Sequence, residues 1–204
     1  MLFTRALLLA AASGLCLNFL TVAAGEAAPA KAAAEALARA SRVAGTVEFR
    51  REGAQAYAAL AQDAELFKGD QVRTGRKSSL ELKLADDSHI TLGEDSTLVL
   101  REVRGKAKSD RTLLDLDEGQ LGAAVEKLGE RQRFEISTPV AVCGVRGTRF
   151  ALSHANDKNR GKTILTVGSG KVNADSLNPK FGGKGGVDVG KGKSLTITWD
   201  GFGK

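Results

Sequence analysis

Apolar positions recur at every second residue over most of this chain. Val47 and Phe49 alternate with Glu48 and Arg50, and Leu80, Leu82 and Leu84 alternate with Glu81 and Lys83. Ile90 and Leu92 return on the same pattern. A period of two puts alternate side chains on opposite faces of a strand and predicts half-buried β structure. Turn signals separate these runs. Gly69-Asp70 and Asp86-Asp87-Ser88 are turn sequences, because glycine accepts backbone angles closed to other residues and aspartate caps free N–H groups. The second joins Leu80–Leu84 to Ile90–Leu92 as a hairpin. Leu98 and Leu100 resume after Asp95-Ser96, and the charged stretch 104–111 reads as a surface loop.

The most informative stretch runs from Phe134 to Leu152. Phe134 and Ile136 alternate, Pro139 ends a strand because it cannot donate a ladder bond, and Val140-Ala141-Val142 faces inward. Gly144 and Gly147 loosen the backbone around Arg146. In an unbroken register Arg146 points inward, and burying an unpaired guanidinium is costly. Three readings stay open: a structural turn with the arginine in solvent, a buried arginine–carboxylate pair, or contact with a ligand. Asp70 is the expected carboxylate.

A theme of strand, glycine and strand occurs three times, around Gly119, Gly170 and Gly190–Gly192. No helical period follows residue 62. The pattern predicts an all-β fold, a single sandwich or roll of roughly 10–13 short strands over residues 43–198. Residues 199–204 read as a tail, with Trp199 and Phe202 either packed or available for contact.

The N-terminus changes the picture. Met1–Ala24 carries one charge, Arg5, then an apolar run too short for a membrane span, then Val22-Ala23-Ala24. That is the layout of a cleavable signal peptide. Leu15 directly before Cys16 does not suit lipoprotein processing. Residues 25–42 are alanine-rich, with Lys31, Glu35 and Arg39 about one helical turn apart, and are expected to be a helical or disordered linker. A cleaved leader makes the protein periplasmic or secreted and leaves Cys143 as the only thiol, read as a buried apolar residue.

Candidate chemistry is sparse. Asp87, Ser88 and His89 are strand neighbours whose side chains point to opposite faces, which does not build a triad. The carboxylates around His89 are read as turn caps, and no metal or cofactor is expected. Gly185-x4-Gly190-Lys191 lacks the hydroxyl and the following helix of a phosphate loop. The net charge is +6. Lys184, Lys191 and Lys193 lie in a basic C-terminal half that suits an anionic glycan or polymer; export argues against nucleic acid.

The ordered set Leu66-x-x-Gly69-Asp70-x-Val72-x-Thr74-Gly75, Leu80 to Leu92, Thr138-Pro139-x-Ala141, Val145-Arg146-Gly147-Thr148-x-Phe150 and Val167-x-x-Gly170-x-Val172 resembles the FecR domain. That domain occurs in regulators of ferric-citrate uptake and in other exported bacterial proteins. Asp87 replaces the glycine usual in the hairpin turn. The best-known members have a cytoplasmic segment that acts on a sigma factor, a membrane helix and a periplasmic FecR domain. Here no sigma-factor-binding segment and no membrane span in the mature chain are expected. The resemblance implies a non-enzymatic interaction or sensing module contacting another envelope protein. Gly69, Asp70, Arg146, Gly147 and Thr148 are its candidate contact or turn residues.

Overall fold

A computed structural model describes residues 35–104, 110–129, 131–157, 161–181 and 186–203. The expected leader, most of the expected linker and Lys184 lie outside the described residues. Everything described is strand, turn or loop, and no helix occurs among the described residues.

The strands pair in two sets that share one long strand. The first runs, in spatial order, β4 (Glu65–Leu66), β1 (Ala38–Ala44), β6 (Ser79–Leu84), β7 (His89–Leu92), the end of β9 (Arg111–Ala124), β12 (Arg149–Ala155), β13 (Lys162–Ser169), β16 (Ser194–Thr198) and β17 (Gly201–Gly203). The second runs β3 (Ala58–Ala59), β2 (Val47–Arg50), β5 (Gln71–Thr74), β8 (Thr97–Glu102), the start of β9, β10 (Arg133–Ser137), β11 (Ala141–Val145), β14 (Lys171–Ser176) and β15 (Val187–Gly190). Every pairing is antiparallel except β9 with β10. Both sets turn their apolar face to one core. Leu80, Leu82, Leu92 and Leu121 come from the first set, and Val72, Leu98, Leu114, Phe134 and Ile136 from the second.

The seventeen strands among the described residues exceed the expected number because elements form where alternation is too short or too alanine-rich to read. Residues 38–42 are not linker. Ala38 and Ala40 are buried while Arg39 and Ser41 face outward, and β1 pairs with β6 from Ala38↔Leu84 to Ala44↔Ser79. Alanine is a strong helix former in isolation, and tertiary pairing overrides that preference here. Residues 201–203 are likewise not a tail but a strand on β16, and Trp199 packs against the core.

The glycine theme also has a different meaning from a simple hairpin. β13 and β14 flank Gly170 but do not pair with each other; the chain passes there from the first set to the second. The same passage occurs within β9 at Gly119, between β15 and β16 at Gly192, and at Gly45 between β1 and β2. Glycine suits these points because φ is +79° at Gly45, +98° at Gly119, +81° at Gly170 and +73° at Gly192.

Three of the crossovers are locked by one device. Arg76-Lys77-Ser78, Glu94-Asp95-Ser96 and Arg146-Gly147-Thr148 each place a positive φ at the middle residue: 53°, 50° and 63°. The hydroxyls of Ser78 and Ser96 then donate back to the first residue's carbonyl at 3.0 and 3.1 Å, while Thr148 Oγ1 lies 3.3 Å from Arg146 O and donates to Lys171 O at 2.9 Å. The same hydroxyl oxygens accept the backbone N–H that follows a facing crossover glycine: Thr46 at 2.9 Å, Gln120 at 2.9 Å and Lys171 at 3.2 Å. Ser78, Ser96 and Thr148 are all buried, so each lock satisfies a polar group that water cannot reach.

Candidate interaction surface

The turn at Gly69-Asp70 connects β4 to β5 and is bonded into β8. The Gly69 N–H donates to Leu100 O at 2.7 Å, and the Leu100 N–H donates to Asp70 O at 3.0 Å. Gly69 has φ +80°. Asp70 is 1% exposed, and its carboxylate accepts the Phe67 N–H at 2.8 Å. Its ion-pair partner is Arg51, not Arg146. The expected Arg146–Asp70 pair is therefore wrong. β5 lies beside β2, which delivers Arg51, whereas β8, β9 and β10 separate β5 from β11 and its following Arg146. Arg146 is exposed, which removes the buried pair and leaves a turn whose arginine faces solvent. Gly147 and Thr148 serve the crossover lock described above.

Arg51 is clamped as well as paired. Its guanidinium lies 4.8 Å from the Phe49 ring and 4.7 Å from the Phe67 ring. Stacking of this kind fixes a long side chain and favours its charge. Beside it is an open cleft of ≈ 400 Å³, lined by Arg50, Arg51, Glu52, Gly69, Gln71, Arg101 and Asp117 among others. Gln71 organises the floor. Its amide oxygen accepts Arg50 Nη2 and the Tyr57 hydroxyl, each at 2.6 Å, and its amide nitrogen donates to Asp117 at 3.3 Å. The Tyr57 ring lies 4.9 Å from the Arg50 guanidinium and 3.8 Å from that of Arg73, and Arg73 also bonds Glu48 at 2.7 Å.

The charges of the cleft are arranged unevenly. Arg101 bonds Asp115 at 2.5 Å, and that bond leads the causes holding the guanidinium above its ordinary value. Burial, then the Asp115 charge, pushes the Asp117 carboxyl above the usual carboxylate range. Arg50 is held by an amide and a ring, with no carboxylate among its described hydrogen-bond partners. The result is a rigid outward surface of arginine, tyrosine and amide groups on β2, β5, β8 and β9. Arginine and tyrosine held in this way are the residue types that dominate protein–protein contact energies. None of Arg50, Arg51, Gln71, Arg101 or Asp117 stood out in the sequence, although each occupies an outward position of an alternating strand or the end of one.

The remaining expectations fall elsewhere. Lys191 and Lys193 are exposed on either side of Gly192. Cys143 is fully buried, and burial pushes its thiol up to about 12. Ser88 is fully buried while His89 is exposed, so the two do not converge. The nearby carboxylates serve turns and pairs: Asp86 accepts the Ser88 N–H at 3.0 Å, Asp87 pairs with Lys83 at 3.1 Å, and Glu94 accepts the Lys77 N–H at 2.7 Å. His154 is buried between Thr163 at 2.9 Å and Asn156 at 3.1 Å, as a core histidine. Among the described residues the exposed large apolar side chains are Leu177, Val187 and Phe202, all toward the C-terminal end of the chain.

A family model described as FecR protein matches residues 70–173. No curated protein matches the chain. Among solved structures, two crystal structures of a candidate anti-sigma factor from Parabacteroides distasonis, at 1.65 and 2.50 Å, are similar to it. Each aligns with TM-score 0.51 and 15% identity, covering 63% of this chain and 54% of the other. The match thus spans about half the length of those proteins, and at this identity it concerns the fold.

Proposed function

The chain belongs to the FecR protein family, and from that premise we propose that it is an exported, non-enzymatic protein-interaction or sensing module of the bacterial envelope. Its partner is another envelope protein. The Met1–Ala24 leader pattern supports export, and the description of the structural neighbours as candidate anti-sigma factors supports a regulatory rather than a chemical role. The observation that carries the reading is the preorganised arginine–aromatic surface at the Gly69-Asp70 turn. It spends Asp70, Phe49 and Phe67 on fixing Arg51, and Gln71 and Tyr57 on fixing Arg50, before any partner arrives. Side chains ordered in advance lose less entropy on binding.

The test is site-specific photo-crosslinking in the living cell. A benzoyl-phenylalanine at Gln55, on the cleft wall, is expected to give a discrete protein adduct that Arg50→Ala removes. The same probe at Thr91, on the outer face of the first strand set, is expected to give none. Equal adducts at both positions, or an adduct indifferent to Arg50→Ala, contradict the reading.

A second reading, binding of anionic glycan, is favoured by one observation: Lys191 and Lys193 are both exposed and sit on the same turn. It predicts retention on a polyuronate column that falls with salt and is lost when Lys184, Lys191 and Lys193 become glutamine. Retention indifferent to salt contradicts it.

A further inference from the structure

We propose that the outer edge of β15 receives an extended segment of a protein partner as an added strand, and that this segment carries acidic residues which meet Lys191 and Lys193. The surface lies at the opposite end of the second strand set from the arginine cleft, so it stands or fails separately from that site. Among the described residues β15 pairs with β14 alone, in the register Lys171↔Gly190 to Ala174↔Val187. Alternate N–H and C=O groups of an outermost strand point away from its neighbour and form a template for another strand.

Gly190 marks the place. Gly75, Gly122, Gly144 and Gly203 also lack a positive φ and would make only ordinary contacts at a Cβ, whereas the Cβ position of Gly190 is open. At Gly190 there is no positive φ, and nothing lies within 4 Å of the Cβ position. Neither conformation nor internal packing calls for glycine, yet it costs the strand conformational entropy. A glycine inside a strand that has no such reason leaves room for the close approach of another backbone. Val187 on the same strand is 37% exposed, which supplies apolar contact for a partner side chain.

Charge indicates the partner's chemistry. The carboxylate of Asp188 is already held by Lys171 at 3.0 Å and Asn173 at 2.9 Å. The charges at the strand's far end are then those of Lys191 and Lys193, both exposed. An edge presenting backbone donors and acceptors at strand spacing recognises a peptide main chain rather than a sugar, with side chains adding selectivity.

The experiment uses the isolated protein and a fluorescent alternating Glu-Val octapeptide as the probe. Binding is read by anisotropy and by amide hydrogen exchange. The expected result is a complex that slows exchange at residues 187–190. N-methylation of alternate peptide nitrogens should weaken it about tenfold, from the loss of backbone hydrogen bonds. Lys191→Glu with Lys193→Glu should weaken it about threefold while leaving unfolding unchanged, as expected for exposed charges. Three results overturn the proposal: affinity indifferent to N-methylation, a complex that leaves residues 187–190 exchanging freely, or displacement by oligogalacturonate with the same protection pattern, which would assign the edge to a glycan. Loss of this binding with the Gln55 adduct intact removes only this edge; loss of the adduct with this binding intact removes only the arginine cleft.

Discussion

The two ends of the strand sets are built differently. At the N-terminal end the outermost strands, β3 and β4, are two residues each, and the chain between them buries Leu60 and ties its backbone to Val47 and Ala40. Arg51, clamped between two rings, neutralises the buried Asp70 beside them. At the C-terminal end β15 is four residues long, starts with an exposed valine and ends in a glycine with empty space around it. Very short, charged edges block accidental pairing. The difference teaches that protection of an edge is a local choice of residues, made at one end of this fold and withheld at the other.

The comparison can be broken most severely at the closed end. Arg51→Ala leaves Asp70 buried without its cation and is expected to cost about 3 kcal/mol, read from the shift in urea midpoint. Arg51→Lys should recover only part of that loss, because an ammonium cannot replace the planar group stacked on Phe49 and Phe67. If Arg51→Ala were neutral, the closed end would not depend on its clamp. At the open end Gly192→Ala pays only for a left-handed backbone, about 1 kcal/mol, because no atom lies near the new Cβ. A cost approaching that of Arg51→Ala would mean that the open end is packed after all.

A smaller effect sharpens the picture of the cleft. The Asp117 carboxyl is raised, first by burial and then by Asp115. Its folded-state pKa lies above the unfolded one, so the folded state holds the proton more tightly. The contribution is therefore favourable at low pH and is lost as pH rises through the folded value. Asp117→Asn should stabilise the protein at pH 7 by less than about 1 kcal/mol, since half-exposed charges are screened. The gap from wild type should close as pH falls below the ordinary aspartate value. Denaturant curves at several pH values check it. A stabilisation that grows toward low pH would reverse the assignment.

Much of this architecture was legible in the alternation. The Leu80–Leu92 hairpin and the inward Phe134 and Ile136 follow from period and residue type, whereas Trp199 read as either packed or available and only the structure places it against the core. β1 did not, because Ala38 and Ala40 look helical until Leu84 and Leu82 are known to lie beside them. The glycine theme was visible, but strand, glycine and strand read the same whether the flanking strands pair or part. Only the pairing shows that Gly119 and Gly170 carry the chain between sets. The Arg146–Asp70 error has the same root. Choosing a carboxylate's partner requires the order of neighbouring strands, and β2, not β11, lies beside β5. The cleft residues were hidden for that reason too, as Arg50, Gln71, Arg101 and Asp117 come from four separated strands and form no motif along the chain.

Amide hydrogen exchange on the isolated protein tests the contrast between the ends most directly. The account predicts strong protection at the Phe67, Gly69 and Leu100 N–H groups, which the closed end holds in hydrogen bonds. It predicts fast exchange at alternate residues of 187–190. Uniform protection along β15 equal to that of Leu100 would show that the edge is already covered, and would contradict it.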